Sequence, residues 1–553
     1  MIRTAPIHSI RATRRERSRE RRVEGAGINR QPFLPMRSRF TLFTLVASLS
    51  FVSLQSSFLR AEGAAVLKAD AFRHHIEYFN SMENENVANL VPNADSWKWL
   101  QAQVPYFECS QPEVEQIYWY RWWSLRKHLR KAETGHFVFT EFLTRANPVS
   151  SALGHHLMEM RWLHDQAPVD SYVEYWLRKD EQGKPQTRLR FYSSWLQDAL
   201  HQRWMVTGQT EVLTGLLDDL VADYDIWEKT KQRPDGLYWQ FDVRDAMEES
   251  ISGSRTKKNI RPTINSYMFA NARALAAIAR LAGKPEVAAT FDAKASTLRK
   301  LTMETLWDAD AKFFKVRLED GPLADVREAI GFIPWYFGLP EKNAGYEAAW
   351  IQFSDTEGFN APFGITTAER RHPRFRSHGV GTCEWDGAVW PFATSQTLVA
   401  LMNVLRDYPQ NAVTKRDFFD AFVDYTRAHR YDGLPYIGEY QDELTGQWLK
   451  GRDERSRYYN HSTYADLLIT GMVGLRPRTD DVVEVYSLLP DNSWSWFCLD
   501  NIRYRGHDLT ILWDRDGKRY GRGKGLAILV DGKEIARGET LAPLTGKLPP
   551  AKT

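Results

Sequence analysis

The sequence predicts a mainly helical protein, an (α/α)6 toroid of paired helices, followed by a small antiparallel β domain. Apolar residues recur at helical spacing from about residue 70 to 475, with breaks at Gly, Pro and Asn/Asp clusters. After about residue 480 the spacing changes to the alternation of β-strands. No internal repeat with a period of roughly 20–50 residues is visible, so about twelve helical segments are better closed into a ring than stacked as a solenoid.

A secretory signal segment is predicted near the N terminus. Arg37 and Arg39 precede an apolar run over residues 42–54, and Ala61 follows a short polar stretch. This order matches the basic, apolar and small-residue regions of a signal peptide at about residues 36–61, with cleavage after Ala61. The apolar run is shorter than the roughly 20 residues that cross a bilayer. We therefore expect a periplasmic or secreted protein without stable membrane insertion, and an uncleaved anchor is the alternative.

Composition narrows the choice of partners. The 553 residues include 20 Trp, 23 Tyr and 28 Phe, whose rings are suitable surfaces for stacking sugars. The formal charge is +3, but residues 1–35 carry nine Arg against three Glu, and Arg37, Arg39 and Arg60 add three more positive charges, which leaves residues 62–553 at about −6. A mildly acidic body argues against a nucleic-acid partner. Three cysteines are too few for a disulfide framework in a chain of this length.

The helical domain is predicted over residues 62–476, after an N-terminal extension and signal peptide at 1–61. Its clearest helices are 112–131, 192–207, 211–227, 266–281, 285–306, 394–405 and 415–430. The Ala-rich helix at 266–281 allows close packing of neighbours, and Gly283 supplies a left-handed stop.

The β domain is predicted over residues 477–545, and residues 546–553 are predicted to be a disordered tail. Its strands are 482–486, 495–499, 508–513 and 525–537. Asp531 and Gly532 form a strong two-residue hairpin signal within the last stretch.

The first candidate stretch, residues 235–265, places acids beside aromatic rings between two helices. Glycosidic bonds break when one carboxylic acid protonates the leaving oxygen and a second carboxylate activates water or attacks the sugar. A loop with several acids is therefore a suitable place for the proton donor, although the same acids could merely solvate the loop and cap the next helix. The candidates are Trp239, Asp245, Glu248, Glu249, Arg261 and Asn265.

The second candidate stretch lies directly before the helix at 394–405. Trp385 and Trp390 are five residues apart and suit a platform that stacks one sugar face. Glu384 and Asp386 could hold the sugar hydroxyls. The alternative is an aromatic corner that packs two helices together.

The third candidate stretch is near the end of the helical domain. Glu439 lies between Gly438 and Tyr440, and Tyr436 is close by in the sequence. The tyrosine hydroxyls could hold a carboxylate and a water molecule. His461 could bind substrate, but a single His at a helix start is also a common structural partner.

A metal site has little support in the sequence. His155 and Glu159 are spaced i,i+4, yet no matching ligand pair is evident, and neither a CxxC nor an HExxH pattern occurs. No phosphate-binding loop or dinucleotide fingerprint is apparent either. We expect no metal and no organic cofactor.

Together, the three stretches and the following β domain resemble the inverting glycoside hydrolases with a six-hairpin barrel. That clan includes trehalases, family 63 enzymes and, more loosely, α-L-rhamnosidases, and the strongest resemblance is to mannosylglycerate hydrolase-like domains. The resemblance covers about residues 70–475. It implies an oligosaccharide or glycoside as substrate.

The resemblance also implies roles for two carboxyls. Glu248 matches the position of the general acid and Glu439 that of the general base, and the Trp385 to Pro391 stretch resembles a substrate-binding Trp-Pro segment. The acid loop of trehalases and family 63 enzymes continues with an Asp after Gly, whereas none follows Gly253 here. Glu248, Glu249 and Asp245 therefore remain competing acids.

Two other functions remain open at this stage. A polysaccharide lyase on the same toroid would need a Tyr or His base and cations against a uronic acid. A catalytically inactive glycan-binding protein would keep the aromatic platform without the paired carboxylates. Acid-rich loops favour the hydrolase over both.

Overall fold

The computed structural model describes residues 65–178, 183–378, 383–450 and 455–550. The predicted signal peptide lies outside these residues. The helices are α1 Arg73–Ser81, α2 Ser96–Gln103, α3 Pro112–Arg126, α4 Leu153–Met160, α5 Ala167–Leu177, α6 Leu196–Thr207, α7 Thr210–Thr214, α8 Leu217–Lys231, α9 Pro262–Leu281, α10 Pro285–Leu306, α11 Ile333–Tyr336, α12 Ile351–Ser354, α13 Pro391–Asp407, α14 Lys415–Ala428 and α15 Ala465–Leu467. A π-helical segment, Leu468–Val473, continues α15.

Six helices contact one another in a closed cycle. The order of contacts is α4 to α6, α6 to α9, α9 to α11, α11 to α13, α13 to α15, and α15 back to α4. These inner helices are mostly buried, whereas α8 and α10 bury only one stripe each and pack on the outside. The predicted toroid of paired helices is therefore confirmed.

The inner helix α9 illustrates how the sequence specifies the ring. Pro262 occupies the first turn, where no backbone N–H is needed, and small residues such as Ala272 and Ala276 are buried along its length. Gly283 has a φ of +67° and ends the helix, after which α10 begins at Pro285. This hairpin follows the sequence prediction closely.

Two predicted helices differ from the observed ones. The helix predicted over 112–131 ends at Arg126, because Leu129–Lys131 pairs with Phe137–Phe139 as a β-hairpin. The helix predicted over 211–227 is two helices, α7 and α8, with a break at Gly215 and Leu216.

In the part of the chain that the structure describes, the strands form two sheets in the C-terminal region and four short hairpins within the helical part. They are β1 Tyr106–Cys109, β2 Leu129–Lys131, β3 Phe137–Phe139, β4 Trp307–Asp308, β5 Phe313–Phe314, β6 Asn360–Ala361, β7 Gly364–Ile365, β8 Arg430–Tyr431, β9 Leu434–Pro435, β10 Leu475–Arg476, β11 Val482–Val485, β12 Trp496–Tyr504, β13 His507–Asp514, β14 Gly525–Val530, β15 Lys533–Gly538 and β16 Leu544–Lys547.

The larger sheet is antiparallel, with strand order β1-β12-β13-β14-β15, and the smaller sheet has the order β10-β11-β16. The predicted turn between β14 and β15 is confirmed, since Asp531 and Gly532 both have positive φ. Strand β1 precedes most of the helices in sequence yet pairs with β12. Strand β16 pairs with β11 as far as Lys547, so regular structure extends beyond residue 545, where the sequence analysis ended the β domain.

The loops that precede the inner helices carry the candidate residues. The acid loop leads into α9, Trp390 immediately precedes α13, and residues 439–461 lead into α15. These loops therefore meet at the end of the ring where the inner helices begin. Within the described residues, no helix combines the length and the apolarity that crossing a bilayer requires.

Candidate active site

Backbone hydrogen bonds join the three candidate stretches. The Trp385 N–H donates to the Glu248 carbonyl at 3.4 Å, which links the first stretch to the second. Val389 and Gln441 exchange two backbone hydrogen bonds of 3.0 Å, which link the second stretch to the third. The sequence analysis inferred that the three stretches belong together, and the structure brings them into contact.

Glu248 is a partly exposed carboxyl held in a contorted loop. The non-glycine residues Ala246 and Glu249 on either side of it have φ values of +60° and +69°, a backbone region that most side chains avoid. Burial raises the pKa of Glu248 to about 7, and the negative charges of Glu439 and Asp242 add to the rise. Glu248 is thus able to carry a proton near neutral pH.

Glu439 faces a cation and a hydroxyl. The Lys450 ammonium donates to Oε2 of Glu439 at 3.2 Å, and the Ser456 hydroxyl donates to the same oxygen at 3.1 Å. The preceding Gly438 is required by close packing, because an added Cβ would lie 2.8 Å from the Trp448 ring and 2.9 Å from the Tyr436 ring. These contacts fix the position of the carboxylate.

A third carboxyl, Glu141, joins the cluster and was missed by the sequence analysis. The Tyr459 hydroxyl donates to Oε1 of Glu141 at 2.6 Å, and the Ser151 hydroxyl donates to Oε2 at 3.3 Å. Burial raises the pKa of Glu141 to about 7; the Tyr459 bond opposes this rise, while the charges of Glu439 and Glu248 add to it. Glu141, Glu248 and Glu439 therefore form one electrostatically coupled group, which we call the carboxyl cluster.

The Cys383 thiol also lies close enough to the carboxyl cluster to interact with it electrostatically. Burial raises the pKa of its thiol to about 11; the Lys450 charge opposes the rise, and Glu248 and Glu439 add to it. The Lys450 ammonium lies 3.9 Å from the sulfur. The sequence offered no signal for Cys383 beyond its place next to Glu384.

Asp245 and Arg261 form a buried ion pair away from solvent. The Arg261 Nε–H donates to Oδ2 of Asp245 at 2.6 Å, and both side chains have no exposed surface. The hydroxyls of Ser193 and Thr263 also donate to Asp245. Asn265 bonds the backbone of Tyr238 in both directions and so fixes the start of α9. The structure gives these predicted site residues structural partners, and their contact with substrate stays a prediction.

The other predicted acids are paired as well. Glu384 is buried against the Arg376 guanidinium at 2.5 Å, and Asp386 accepts from the His378 ring at 2.7 Å. Glu249 accepts from Arg255 at 2.8 Å, and its side chain is 28% exposed. Glu384, Asp386 and Glu249 are therefore each bonded to an arginine or a histidine side chain.

The two rings predicted as a sugar platform, Trp385 and Trp390, stack on each other and on Tyr440 instead of lying open. Trp390 stacks on Trp385 at 4.5 Å and on Tyr440 at 4.6 Å between ring centroids. The three residues are 3%, 3% and 0% exposed, which leaves little ring surface for a sugar. The stack forms a buried wall beside the carboxyl cluster, as in the aromatic-corner alternative.

The other three residues predicted to bind substrate, Tyr436, Trp239 and His461, contact aromatic or cationic side chains. Tyr436 packs edge-on to Trp448, and Trp239 is only half-buried, with the Lys231 ammonium 3.8 Å from its ring. His461 packs edge-on to Tyr459 at 3.9 Å. Burial, aided by nearby cationic and histidine groups, holds the pKa of His461 well below its usual range, so the ring is neutral.

His155 and Glu159, the pair spaced i,i+4, contact other parts of the protein and not a common ligand position. Glu159 accepts backbone N–H groups from Tyr464, Ala465 and Asp466 at the start of α15. His155 packs between the rings of Trp195 and Phe392. Among the described ranges, no group of three His, Cys, Asp or Glu side chains is arranged to hold a metal ion.

A cavity of about 800 Å³ lies elsewhere in the ring, between the C-terminal halves of the inner helices. Its acids include Asp466, which is paired with Arg161 at 2.7 Å, and Asp407, which is paired with Arg476 at 3.0 Å. Among the described residues that line this cavity, none is a predicted site residue. The predicted catalytic carboxyls therefore lie in the carboxyl cluster and not in this cavity.

Comparison with protein families agrees with this geometry. The model of the mannosylglycerate hydrolase MGH1-like glycoside hydrolase domain matches residues 145–462. The chain belongs to this glycoside hydrolase family. The C-terminal domain of glycosyl hydrolase family 65 matches residues 475–537, which include most of the β domain. The family resemblance found in the sequence is confirmed.

This MGH1-like chain is also similar to several solved structures. A protein named sialidase is 48% identical, with a TM-score of 0.85, and the match covers 87% of this chain and 45% of that one. This chain thus spans less than half of that relative. A family 78 rhamnosidase of Bacillus sp. GL1 shares the fold at 13% identity and a TM-score of 0.53, covering 77% of this chain and 41% of the rhamnosidase. An uncharacterised conserved protein from Thermus thermophilus matches at 16% identity and a TM-score of 0.50, over 64% and 98% of the two chains.

Proposed function

We propose that this chain is an exported, inverting glycoside hydrolase in which Glu248 is the general acid and Glu439 the general base. The observation that carries the proposal is the carboxyl cluster, where loops from separate hairpins bring these two carboxyls within electrostatic reach of each other. Paired carboxyls are what glycosidic hydrolysis requires. The substrate is an oligosaccharide or a glycoside.

Glu248 is preferred among the three competing acids because no cation of the described residues forms an ion pair with it. Asp245 is locked in its ion pair with Arg261, and Glu249 pairs with Arg255. Among the described residues, Glu248 has no basic side chain within ion-pair distance. A carboxyl with a pKa near 7 can hold a proton and still release it.

The proposed reaction uses one proton transfer at each face of the sugar. Glu248 gives its proton to the glycosidic oxygen as the bond to the anomeric carbon breaks. A water molecule attacks that carbon from the opposite face, and Glu439 takes a proton from the water. Lys450 and Ser456 hold Glu439 in place for this role. The product has the inverted anomeric configuration, and both protons are accounted for.

Glu141 is proposed to support this pair from within the site. Its hydroxyl partners, Tyr459 and Ser151, hold it within electrostatic reach of the two other carboxyls. One segment of the chain contacts two carboxyls of the cluster, because Ser456 donates to Glu439 and Tyr459 donates to Glu141. We propose that Glu141 binds a hydroxyl of the sugar at the bond that breaks.

Export is proposed on the sequence alone. The basic residues Arg37 and Arg39, the apolar run and Ala61 form the signal peptide pattern. An exported hydrolase would act on external or imported glycans. Expression of the full chain with periplasmic fractionation, followed by N-terminal sequencing, tests cleavage after Ala61.

The test of the reaction is an assay of residues 62–553 against aryl glycosides and oligosaccharides. The panel includes sialosides, because the 48%-identical structure is named a sialidase. NMR during the first minutes identifies the anomer released. We expect the inverted anomer, and a fall in kcat/KM of about 10²–10⁴-fold in Glu248→Gln and in Glu439→Gln.

The matched control is Glu304→Gln, which removes an acid that is 59% exposed on α10. It should keep the wild-type rate. Retention of configuration would contradict the assigned base role of Glu439. An unsaturated product that absorbs in the ultraviolet would instead indicate a lyase, and binding without turnover by the wild-type protein would indicate a glycan-binding function.

A further inference from the structure

The cavity of about 800 Å³ is lined by more cations than acids. It lies towards the C-terminal ends of α4, α6 and α13, whereas the carboxyl cluster lies on loops that precede inner helices. Two of the four acids among its described lining residues, Asp407 and Asp466, already pair with arginines of the same wall. The cations of the wall are Arg161, Arg273, Arg299, Lys342, Arg406 and Arg476. Positive charge is therefore in excess in this cavity.

Direct contacts hold two of these arginines, Arg273 and Arg299, side by side. Nη1 of Arg273 donates to the Phe337 carbonyl at 2.7 Å. Nη2 of Arg299 donates to the next carbonyl, that of Gly338, at 2.9 Å. The two guanidinium carbons lie 5.5 Å and 5.1 Å from the centroid of one ring, that of Phe269. These bonds cap the end of α11 and, at the same time, fix two like charges next to each other in the cavity wall.

Neither of these two guanidiniums has an ion-pair partner in the described part of the chain. No carboxylate of those residues lies within 4 Å of Arg273 or Arg299. The two remaining acids of the wall, Asp198 and Glu341, act on them only from a longer distance. Burial and the Arg273 charge lower the pKa of Arg299, as expected for like charges held together. An anion bound between the two guanidiniums would relieve this repulsion.

Two further cations of the cavity, Arg406 and Lys342, are also without an ion pair to any described acid. Nη2 of Arg406 donates to the backbone carbonyls of Thr470 and Tyr486 at 2.6 Å and 2.7 Å, which fixes this guanidinium in the wall. Burial and the Arg476 charge lower the pKa of Arg406. We call Arg273, Arg299, Lys342 and Arg406 the cation wall.

The cavity has the size, the access and the surface that a small organic molecule needs. Its volume is within the range of about 300–1,000 Å³ that is usual for ligand pockets. Arg273 and Lys342 are exposed to solvent, so the cation wall can be reached from outside. Met205, Val399 and Met402 add apolar surface for a carbon skeleton.

We propose that this cavity is a second ligand site, separate from the carboxyl cluster, which binds a small organic anion through the cation wall. The ligand carries carboxylate or phosphate groups, because their oxygens match the planar donor edge of a guanidinium. Leu475 and Pro477, at the connection between the helical ring and the β domain, also line the cavity. The bound anion therefore contacts both the ring and this connection. None of these residues belongs to the proposed reaction, so the inference does not depend on it.

The test is calorimetric titration of the purified full chain with two anions. One arm uses citrate, which carries carboxylates, and the other uses pyrophosphate, which carries phosphates. At least one of them should bind at a ratio of about one per chain with a Kd below about 1 mM. Its Kd should rise as salt increases from about 0.05 to 0.5 M. The arm with the lower Kd tells carboxylate from phosphate, and saturable binding of neither anion would overturn the proposal.

Replacement of the paired arginines locates the site. Arg273→Gln/Arg299→Gln should raise the Kd at least about tenfold, because two charged donors are lost. The control is Arg427→Gln on α14, whose side chain is 63% exposed and does not line the cavity, and it should keep the wild-type Kd. A Kd that the double variant leaves unchanged would place the bound anion elsewhere and overturn the proposal.

A second variant keeps the test decisive if loss of the α11 caps prevents folding, which circular dichroism would show. Lys342→Gln changes an exposed side chain of the cation wall and should raise the Kd about threefold without loss of structure. The same anion at saturation should raise the midpoint of thermal unfolding of the wild-type protein, because it binds only the folded chain. An unchanged Kd in Lys342→Gln, in a protein whose double variant does not fold, would also overturn the proposal.

Discussion

Two groups of largely buried acids lie on loops at the same end of the ring. The paired acids, Asp245 and Glu384, each contact an arginine at 2.5–2.6 Å. Glu141 and Glu248, which form no ion pair with another described residue, contact hydroxyls, backbone or solvent, and burial raises their pKa values to about 7. All four are carboxyls on loops before inner helices. The difference teaches that an arginine partner, and not the residue type or its loop, distinguishes an acid that holds the fold from one that can donate a proton.

The largest effect should come from Glu248→Gln. Loss of the proposed proton donor lowers kcat/KM by about 10²–10⁴-fold. The midpoint of thermal unfolding should stay the same or rise, because a buried carboxyl without a cation is costly to ionise. Steady-state kinetics and calorimetry on the same preparation check both parts. A large loss of stability would place Glu248 among the paired acids.

The opposite pattern is expected for Asp245→Asn. This change leaves the Arg261 charge buried without a counterion, which costs about 3–5 kcal/mol of unfolding free energy. Urea unfolding monitored by tryptophan fluorescence measures the cost. The double variant Asp245→Asn/Arg261→Met should regain part of it, since no buried charge is left alone. If Asp245→Asn abolished turnover at unchanged stability, Asp245 would belong to the chemistry.

A smaller effect is expected in the pH dependence of stability. Glu141 and Glu248 have folded-state pKa values of about 7 against an ordinary value of 4.5. The folded protein therefore binds more protons than the unfolded chain between these pH values. The free energy of unfolding should fall as the pH rises from about 4.5 to 7, by about 1–3 kcal/mol for each carboxyl.

Urea unfolding at several pH values tests this slope. In Glu141→Gln and Glu248→Gln the slope should be shallower, because each variant removes one titrating group. Glu304→Gln should keep the wild-type slope. A slope of the opposite sign in the wild-type protein would mean that neither carboxyl takes up protons on folding.

The smallest effect should come from Tyr459→Phe. The Tyr459 hydroxyl stabilises the charged form of Glu141 by a 2.6 Å hydrogen bond, so its loss raises the pKa of Glu141. We expect a fall in kcat/KM of about tenfold or less and a shift of the pH profile toward higher pH. Rates measured from about pH 4 to 9 provide the check. An unchanged profile would separate Glu141 from the reaction.

The sequence predicted the fold better than the site. Helical periodicity and a proline at the first turn located α9 and α10 to within a few residues, because these signals are local. The pairing of β1 with β12 was not predictable, since it joins residues almost 400 positions apart. The hairpin at Leu129–Lys131 was read as helix for a related reason: its pairing with Phe137–Phe139 outweighs the helical pattern before it.

The roles of the candidate acids were also hard to predict, because they depend on contacts with residues distant in sequence. Glu248 and Asp245 share one loop and look alike in the sequence, yet Arg261 neutralises only Asp245. Glu141 is a single acid with no turn motif or neighbouring acid to mark it, and only folding brings Tyr459 to it. The only local signal near Glu141 was the pair Ser150 and Ser151 before a helix, and Ser151 proves to donate to Glu141.

The most direct measurement of the central claim is the leaving-group dependence of Glu248→Gln. On aryl glycosides whose phenols have a range of acidities, a missing proton donor matters little for an acidic phenol and much for a basic one. We predict that the variant nearly matches the wild-type rate on a dinitrophenyl glycoside and loses activity steadily as the phenol becomes less acidic. An equal loss on every substrate would contradict the assignment of Glu248 as the acid.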